Sequence, residues 1–231
     1  MAKALFVTGT GTDVGKTYIS ALVVKKLVEA EINAAYYKAA ISGNIRDDQG
    51  MLIPGDAKWV KDIAGISQKL SDMCPYIYEN AYSPHLASKL EGHPVEMSVI
   101  KEGFAALAGK YDYITMEGSG GIICPLRYDE KKIMLPDVIK ELDLPCLIAA
   151  DAGLGTINQV YLTVDYLRKK DIAIQGIIFN NCHADSIMEE DNFRMCEELT
   201  GVRTLDRIFC NDTGLHMSAE ELLSIYREVK Q

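Results

Sequence analysis

The sequence has no long hydrophobic run and no excess of positive charge. No apolar stretch approaches the roughly 20 residues of a membrane-spanning helix, so we expect no membrane segment. Lys and Arg total 24 against 33 Asp and Glu, which gives a net charge of −9. A chain this acidic is a poor partner for nucleic acid or an anionic membrane surface. The first residues also lack the shape of a signal peptide, because they enter an apolar run directly.

Cysteine is present but carries no recognisable pattern. The six cysteines include no Cys-x-x-Cys pair, so the sequence predicts neither a disulfide nor a metal site built on cysteine. This usage favours a reducing, cytoplasmic setting. The 231 residues are 48% hydrophobic and 25% charged, which is ordinary for a globular protein. Because a chain of this length can bury one sizeable core, we predict a single domain over residues 1–231.

A glycine-rich turn near the N-terminus organises the rest of the prediction. It spans residues 9–17 with the sequence GTGTDVGKT, after an apolar run at Ala4–Val7 and before helical periodicity over Tyr18–Ala30. A strand, a glycine-rich turn and a helix form the context of a phosphate-binding loop. Glycines let successive backbone N–H groups converge on an anion, and the helix N-terminus adds positive potential.

The last residues of this turn carry the reactive groups. The Lys16 ammonium can reach the terminal phosphates of a nucleotide, and the Thr17 hydroxyl can ligate Mg²⁺. The turn departs from the common pattern, because Thr10 stands where that pattern has glycine, between Gly9 and Gly11. An ordinary glycine-rich turn with a surface lysine is the alternative interpretation.

Charged side chains lie at the ends of two other predicted strands. The strand over Ile32–Ala40 carries Lys38 near its end, and a strand that starts at Tyr111 ends at Glu117. A buried ammonium group is costly unless it is paired, but ligands bind at the carboxyl ends of parallel strands. Acids at strand ends near a phosphate loop commonly lie close to its metal. The alternative interpretations are that Lys38 is a surface lysine at the end of a strand and that Glu117 is a strand-end acid without a function.

Three more sites each have a common alternative role. Asp56 lies near a predicted helix start, where it could be a metal ligand or simply the N-cap. The turn Gly155–Asn158 starts another helix and could offer backbone donors to an anion. Asn180 and Asn181 follow an apolar strand and could hydrogen-bond an adenine edge, although asparagine is also common in turns.

Apolar strands alternate with helical segments along the chain. Wholly apolar strands are predicted over Leu144–Ala150 and Ile172–Asn180, and the last helix is predicted over Ser218–Val229. The pattern predicts an α/β fold, a three-layer sandwich in which helices flank a mostly parallel sheet, as in P-loop NTPases. Every candidate residue falls at the carboxyl end of a strand or in the loop after it, where such sheets bind ligands.

Several motifs together resemble one enzyme family, the dethiobiotin synthetases. The variant phosphate loop is similar to that of the family. Further segments match the family in kind and order, and the resemblance extends to about Asn181. The similar segments are Gly9–Thr17, Tyr37–Gly43 with the pattern Tyr-Lys-x-x-x-Ser-Gly, Ser83–Ala87, Glu117–Ile122 and Gly155–Asn158.

The resemblance implies a reaction, the formation of dethiobiotin from 7,8-diaminononanoate, CO₂ and ATP with Mg²⁺. In this family one substrate amine takes up CO₂ to form a carbamate. The carbamate oxygen attacks the γ-phosphate to give a carbamic-phosphoric anhydride, and the second amine closes the ureido ring and expels phosphate. A carbamate and a triphosphate are both anionic, so clustered cations suit this chemistry. The family acts as a homodimer, which implies a second copy of this chain as partner.

The resemblance also assigns roles to individual residues of this sequence. Lys38 and Lys16 are the implied catalytic cations. Nucleotide contacts are implied for Asp13, Val14, Gly15, Lys16, Thr17, Tyr18, Asp56, Glu117, Gly118, Ser119, Gly120, Asn180 and Asn181. Contacts with the diamine are implied for Thr12 and Ser42 and, across the dimer interface, for Gly155, Thr156 and Asn158. The implied Mg²⁺ ligands are Thr17, Asp56 and Glu117.

Three positions depart from the family pattern. Many members have Asp where this chain has Gly11, and proline is frequent where this chain has Ala39. The family's adenine-flanking turn usually contains Ile-Pro, and its nearest match here is Arg207-Ile208-Phe209 without proline. The resemblance therefore does not assign the base contacts beyond residue 200.

Two other protein classes share this kind of loop and fold. Regulatory ATPases of the septum-site or plasmid-partition type carry an additional lysine near the loop start, where this chain has Thr8-Gly9-Thr10. Their membrane-targeting members end in a basic amphipathic helix, whereas residues 218–231 here mix acids and bases. ATP-dependent amidases of the cobyrinate type normally need a glutaminase domain, for which this length leaves little room. The switch-type ATPase is therefore the main alternative function.

Overall fold

A sheet of parallel strands forms the centre of the computed structural model, which describes residues 1–229. Over these residues the strands are β1 (Lys3–Gly9), β2 (Ala34–Lys38), β3 (Ala40–Ile41), β4 (Ile45–Arg46), β5 (Leu52–Ile53), β6 (Tyr76–Ile77), β7 (Tyr113–Glu117), β8 (Pro125–Tyr128), β9 (Lys132–Met134), β10 (Cys146–Asp151), β11 (Ile174–Cys182), β12 (Thr204–Phe209) and β13 (Arg227–Glu228). The helices are α1 (Lys16–Glu29), α2 (Gly55–Ala64), α3 (Leu70–Met73), α4 (Pro84–Leu90), α5 (Met97–Ala108), α6 (Leu135–Glu141), α7 (Thr156–Lys169), α8 (Ile187–Thr200) and α9 (Ala219–Ser224).

The main sheet has seven strands, and its path β12-β11-β10-β1-β7-β2 is parallel throughout. The short strand β13 pairs antiparallel with the start of β1. Parallel neighbours need long crossover connections, which the helices between the strands supply. The predicted α/β fold, with a mostly parallel sheet between helices, is therefore confirmed.

Apolar side chains cover both faces of this sheet. In β1, Leu5 and Val7 belong to a buried cluster with residues of α1, α2 and α9. Ala4 and Phe6 belong to a second cluster with residues of α5, α6, α7 and α8. Successive residues of a strand point to opposite faces, so a strand covered on both sides is apolar at every position. This is why the central strands stand out in the sequence as continuous hydrophobic runs.

The register of three neighbouring strands determines where the site lies. Val7 in β1 and Lys38 in β2 both lie opposite Glu117 in β7. Parallel strands end at the same edge of the sheet, so these three residues and the turn after β1 meet there. The strand predicted over Ile32–Ala40 is shorter in the structure, where β2 ends at Lys38, and the strand end predicted at Glu117 is confirmed.

The last part of the chain differs from the prediction. The sequence predicts a helix over Ser218–Val229, but α9 ends at Ser224 and β13 follows it, so that prediction is wrong beyond Ser224. The reason is that β10 begins to pair with β1 only at Phe6, which leaves the first residues of β1 without a partner on that side. β13 pairs with these first residues, Lys3 and Ala4. Backbone groups left open in a sheet attract another strand whatever the helical periodicity of that segment.

The structure shows the state of the cysteines and the length of the helices. All six cysteines are free thiols, and five of them are buried. Burial raises the pKa of the Cys124 thiol to about 11, so this group stays protonated at neutral pH. None of the helices within residues 1–229 is long and apolar enough to cross a bilayer.

Candidate active site

The phosphate loop turns tightly between β1 and α1. Gly15 immediately precedes α1 with φ +89°, a left-handed conformation that favours glycine. A Cβ atom at Gly15 would lie 2.0 Å from Asn180 Nδ2, and one at Gly9 would lie 2.9 Å from the Lys16 side chain. The glycines at these two positions therefore let the loop pack against β11 and against the stem of Lys16.

Lys16 is folded back onto the loop. Its Nζ donates to the Gly11 carbonyl oxygen at 2.8 Å, and the side chain is buried. Burial and the neighbouring Lys38 ammonium lower the pKa of Lys16, and this effect outweighs the opposing influence of nearby carboxylates. The alternative of a surface lysine is therefore wrong, and the loop holds an ammonium group ready for an anion.

Side chains from four elements converge beside the loop. Glu117 Oε1 accepts hydrogen bonds from Thr17 Oγ1 at 2.8 Å and from Lys38 Nζ at 2.5 Å. Lys38 Nζ also donates to Asp56 Oδ2 at 2.6 Å. Asp56 is not the N-cap of α2, because that position is Pro54, so the capping alternative is wrong. The cluster joins the ends of β2 and β7 to the first turns of α1 and α2.

Lys38 is the electrostatic centre of this cluster. It is 5% exposed and Glu117 is 1% exposed, so the ion pair between them is shielded from water. Burial by itself lowers the pKa of Lys38, but the Glu117 and Asp56 carboxylates outweigh that effect and raise it above its ordinary value. The amine is therefore a cation at neutral pH, and the alternative of a surface lysine is wrong here as well.

A cleft of about 410 Å³ opens over the cluster. Ser119 Oγ donates to the Ala40 carbonyl oxygen at 2.8 Å, which ties the turn after β7 to the chain after β2 at one side of the cleft. Most of the predicted site residues line this one space. They are Thr12, Asp13, Gly15, Lys16, Thr17, Lys38, Ser42, Asp56, Glu117, Ser119 and Gly120.

The predicted adenine contacts lie at the end of β11, directly against the loop. Asn180 Nδ2 donates to the Val14 carbonyl oxygen at 3.4 Å. Asn181 Nδ2 donates to Asp151 Oδ2 at 2.7 Å, at the end of the neighbouring strand β10. The Asn180 amide is thus held against the phosphate loop and the Asn181 amide against the end of β10, and neither lines the cleft itself in the described part of the chain.

Tyr18 and Gly118 make contacts that fix the backbone around the site. The Tyr18 hydroxyl donates to the Asp212 carbonyl oxygen, in the loop after β12. The Tyr18 ring also packs against Trp59 of α2, with 5.6 Å between the ring centroids. A Cβ atom at Gly118 would lie 2.8 Å from the Leu135 side chain, so α6 packs closely against the turn after β7.

The turn before α7 lies apart from the cleft. Gly155 precedes α7 with φ +95°, as Gly15 precedes α1. The Thr156 hydroxyl is buried and has no hydrogen-bond partner within residues 1–229, whereas the neighbouring Leu154 is 89% exposed. Among the described residues, Gly155, Thr156 and Asn158 do not line the cleft.

Comparisons with known proteins agree with the motifs. A family model described as an AAA domain matches residues 3–211. An ATP-dependent dethiobiotin synthetase BioD from Brachyspira hyodysenteriae is 48% identical over 206 residues, 89% of this chain and 91% of that protein. One from Clostridium botulinum is 46% identical over 230 residues, 99% of this chain and 100% of that protein. The chain belongs to the ATP-dependent dethiobiotin synthetase family.

Solved structures similar to this member of the dethiobiotin synthetase family support its fold. A ParA family ATPase from Chlorobium tepidum superposes with a TM-score of 0.58 at 16% identity, covering 97% of this chain and 90% of that one. The MinD cell division protein of Aquifex aeolicus gives a TM-score of 0.54 at 14% identity, with 90% and 82% covered. At such identities the likeness shows the fold alone, so it adds no support for a switch-type function.

The oxygen donors of the cluster suit a hard divalent cation. Thr17 offers a hydroxyl oxygen, and Asp56 and Glu117 offer carboxylate oxygens, the ligand types that Mg²⁺ prefers. No group of three or more His, Cys, Asp or Glu side chains forms a ready metal cage over residues 1–229. Two carboxylates and one hydroxyl fit Mg²⁺, which usually takes one or two carboxylates and fills its remaining positions with water and substrate phosphates.

Sequence reasoning missed two buried polar residues that support the cluster. The Tyr36 hydroxyl donates to Glu117 Oε2 at 2.8 Å. Asn44 Oδ1 accepts from Gly55 N at 2.9 Å, at the start of the helix that carries Asp56. No motif marks Asn44. The only available signal for Tyr36 was its position two residues before Lys38, because residues two apart in a strand share a face.

Proposed function

We propose that this chain forms dethiobiotin from 7,8-diaminononanoate, CO₂ and ATP, as an ATP-dependent cyclo-ligase of biotin biosynthesis. The observation that carries the proposal is the pair of buried ammonium groups, Lys16 and Lys38, in one cleft beside the phosphate loop. Buried cations favour the binding of anions, and the Lys38 ammonium lowers the pKa of the neighbouring Lys16. A triphosphate and a carbamate are such anions, and the named relatives of the chain support this choice.

ATP binds to the phosphate loop in this proposal. Residues 13–18 surround the phosphates with the backbone N–H groups at the start of α1, and the Lys16 ammonium exchanges the Gly11 carbonyl oxygen for phosphate oxygens. Gly118–Gly120 lie along the nucleotide or the substrate. Asn180 and Asn181 hydrogen-bond the adenine, a role supported by the contact of Asn180 with the loop.

Thr17, Asp56 and Glu117 would hold Mg²⁺. The ion supplies positive charge that neutralises the β- and γ-phosphates when it is bound. Both carboxylates lie within hydrogen-bonding distance of Lys38 Nζ, so these side chains already surround one cation. Thr17 lies in the first turn of α1, next to the residues proposed to hold the phosphates.

The chemistry requires no nucleophile from the protein. One substrate amine attacks CO₂ and loses a proton, which gives the carbamate. A carbamate oxygen attacks the γ-phosphorus, the bond to ADP breaks, and the carbamic-phosphoric anhydride forms. The second amine attacks the carbonyl carbon of the anhydride and loses a proton, phosphate leaves with the bonding electrons, and the ring closes. Positioning and charge stabilisation provide the rate enhancement in phosphoryl transfers of this kind.

Lys38 acts in this scheme as a fixed cation. Because the neighbouring carboxylates raise its pKa, it keeps its proton and does not serve as a base at neutral pH. It lies in the cleft between the phosphate loop and the residues after β2, where it can contact both the carbamate and the transferred phosphoryl group. Thr12 and Ser42 line the same cleft and contact the diamine.

A second copy of the chain completes the substrate site in our proposal. The turn Gly155–Asn158 of one copy binds the substrate carboxylate in the cleft of the other. Leu154 and the α7 residues Tyr161 and Leu162 are exposed, and several exposed large apolar side chains in one segment favour an interface.

We also propose that the protein acts in the cytoplasm. The six free thiols support this location, because disulfides are rare in reducing compartments. Cell fractionation against a cytoplasmic marker checks the assignment.

A phosphate-release assay tests the proposed function. The chain is incubated with ATP, Mg²⁺ and bicarbonate, with and without 7,8-diaminononanoate, and the product is identified by mass. We expect phosphate release to depend on the diamine and to accompany a product with the mass of dethiobiotin. Phosphate release that ignores the diamine would contradict the proposal and favour a switch-type ATPase.

A further inference from the structure

The two carboxylate oxygens of Glu117 have different donors. Oε1 accepts from Thr17 at 2.8 Å and from Lys38 at 2.5 Å, the two groups that the proposed function uses. Oε2 accepts from the Tyr36 hydroxyl at 2.8 Å. The terminal torsion of a glutamate is broad by nature. A donor on each oxygen therefore restricts this carboxylate to one orientation.

The register of the sheet produces the contact with Tyr36. Lys38 lies opposite Glu117, and Tyr36 lies opposite Thr115 on the same pair of strands. Residues two apart share a face, so Tyr36 is a diagonal neighbour of Glu117 on the face that Lys38 occupies. Tyr37 points to the other face and packs in the opposite core cluster.

Tyr36 is held in place independently of the site. Its side chain is fully buried, and a phenol hydroxyl is a hydrogen-bond donor at neutral pH. Its backbone N–H donates to Gln68 Oε1 and its C=O accepts from Gln68 Nε2, both at 2.9 Å. Because β2 is an edge strand, the Gln68 amide takes the place of a neighbouring strand.

We propose that Tyr36 is a positioning residue of the active site, which holds the Glu117 carboxylate in the orientation that presents Oε1 to Thr17, Lys38 and a bound metal. This inference rests on the proposed function, since it assumes that Glu117 contributes to metal and nucleotide binding. Without the hydroxyl, Oε2 becomes a buried acceptor without a partner. The carboxylate then turns to share Lys38 between its two oxygens, and Oε1 leaves its place beside Thr17.

The test removes only the hydroxyl, with Tyr36→Phe. The first readout is Mn²⁺ binding in the presence of ADP, followed by the electron paramagnetic resonance signal of free Mn²⁺, which requires no catalysis. We expect about tenfold weaker Mn²⁺ binding, within the range typical for loss of a second-layer partner. The Mg²⁺ concentration for half-maximal activity should rise by a similar factor, while KM for the diamine stays unchanged.

The matched control is Tyr37→Phe, which removes the hydroxyl of the next residue. That hydroxyl donates to the Ile100 carbonyl oxygen at 3.0 Å and does not touch Glu117. We expect Tyr37→Phe to lower thermal stability about as much as Tyr36→Phe does and to leave Mn²⁺ binding unchanged. Equal Mn²⁺ binding by the unmodified chain and Tyr36→Phe would overturn the positioning role.

A second variant covers the case in which Tyr36→Phe does not fold. Gln68→Met removes the amide that pairs with the Tyr36 backbone and keeps a side chain of similar length. Because Gln68 holds the Tyr36 backbone, Gln68→Met should displace the Tyr36 hydroxyl and weaken Mn²⁺ binding, as Tyr36→Phe does. An unchanged affinity for Mn²⁺ would overturn the inference.

The outcomes also separate this inference from the proposed function. If the unmodified chain does not bind Mn²⁺ with ADP, the metal site and the positioning role both fail. If it binds Mn²⁺ but shows no diamine-dependent phosphate release, the proposed reaction fails. The comparison of Tyr36→Phe with Tyr37→Phe then still decides whether Tyr36 orients the carboxylate.

Discussion

Two turns of this chain share one backbone geometry and differ in their surroundings. One follows β1 and the other follows the neighbouring strand β10. Each ends in a glycine with positive φ, Gly15 at +89° and Gly155 at +95°, directly before a helix of 14 residues. The first turn meets charged side chains from β2, α2 and β7 and lines a cleft. The second is exposed at Leu154 and lies outside that cleft.

This comparison indicates that a helix start alone does not make a nucleotide site. Both turns offer backbone N–H groups and the positive end of a helix to an anion. The first turn gains Glu117 and Lys38 because β7 lies beside β1, β2 lies beside β7, and all three strands end at the same edge of the sheet. Asp56 of α2 joins them through its contact with Lys38. The second turn does not line the cleft that contains these three charged residues, among the described residues. We therefore propose that it acts on the cleft of a second copy of the chain.

The largest effect should come from removing the central cation beside the first turn. Lys38→Ala should lower kcat for dethiobiotin formation by about 10²–10³-fold, the range for loss of one group that stabilises transition-state charge. Steady-state kinetics measure this, with circular dichroism to show that the variant remains folded. A folded variant with an unchanged kcat would contradict the role that we assign to Lys38.

A matched pair of glycine substitutions probes the two turns directly. Gly15→Ala and Gly155→Ala both place an L-residue in the left-handed region, which costs about 1–2 kcal/mol. A Cβ at Gly15 would lie 2.0 Å from Asn180 Nδ2, whereas nothing lies within 4 Å of one at Gly155. Gly15→Ala should therefore lower the free energy of unfolding by about 2–5 kcal/mol and Gly155→Ala by only about 1–2 kcal/mol. Urea denaturation decides this, and equal losses would contradict the packing described here.

A charge on the second turn should affect assembly more than folding. Leu154→Glu places a carboxylate where we propose that two copies meet, so the dimer should dissociate. Size-exclusion chromatography with light scattering measures the mass. The control is Leu199→Glu, at a residue that is 49% exposed near the end of α8, and it should keep the mass of the unmodified chain. Identical masses for both variants would argue against an interface at this turn.

The smallest effect on stability should come from Thr156. Thr156→Val removes a buried hydroxyl that has no partner within residues 1–229, so the free energy of unfolding should stay the same or rise by about 1 kcal/mol. A clear loss of stability would show that the hydroxyl already has a partner in the folded chain.

The first turn was largely predictable from the sequence, because its signals are local. Buried parallel strands appear as apolar runs, and the Gly-Lys-Thr ending of the loop marks the start of α1. Lys38 and Glu117 were found because each follows such a run directly. Their convergence depends on strand order and register, which the sequence suggests only through the general behaviour of parallel sheets. The functional roles of these residues, and the single-domain assignment, stay predictions.

Features that depend on one tertiary contact were not predictable. β12 was missed because TLDRIF mixes polar and apolar residues, as suits the edge of a sheet. The last helix was extended too far because nothing local shows that β1 has an open position for β13. Tyr36, Asn44 and Gln68 are single polar residues whose meaning depends on which backbone groups they face. Apart from the position of Tyr36 two residues before Lys38, these residues carry no period and no motif, so the structure is needed to identify them.

The most direct test of the account mixes two variants that are each inactive. Lys38→Ala removes the cation in the cleft, and Asn158→Asp puts a negative charge on the turn proposed to bind the substrate carboxylate. If the two turns form one active site across a dimer, a mixed dimer contains one native site. Free exchange of subunits should then restore about a quarter of the unmodified activity, because half of the dimers are mixed and each has one intact site of two. Diamine-dependent dethiobiotin formation is measured after native mass spectrometry has shown the mixed dimer. A mixture no more active than its separate components would contradict the claim that the two turns act together.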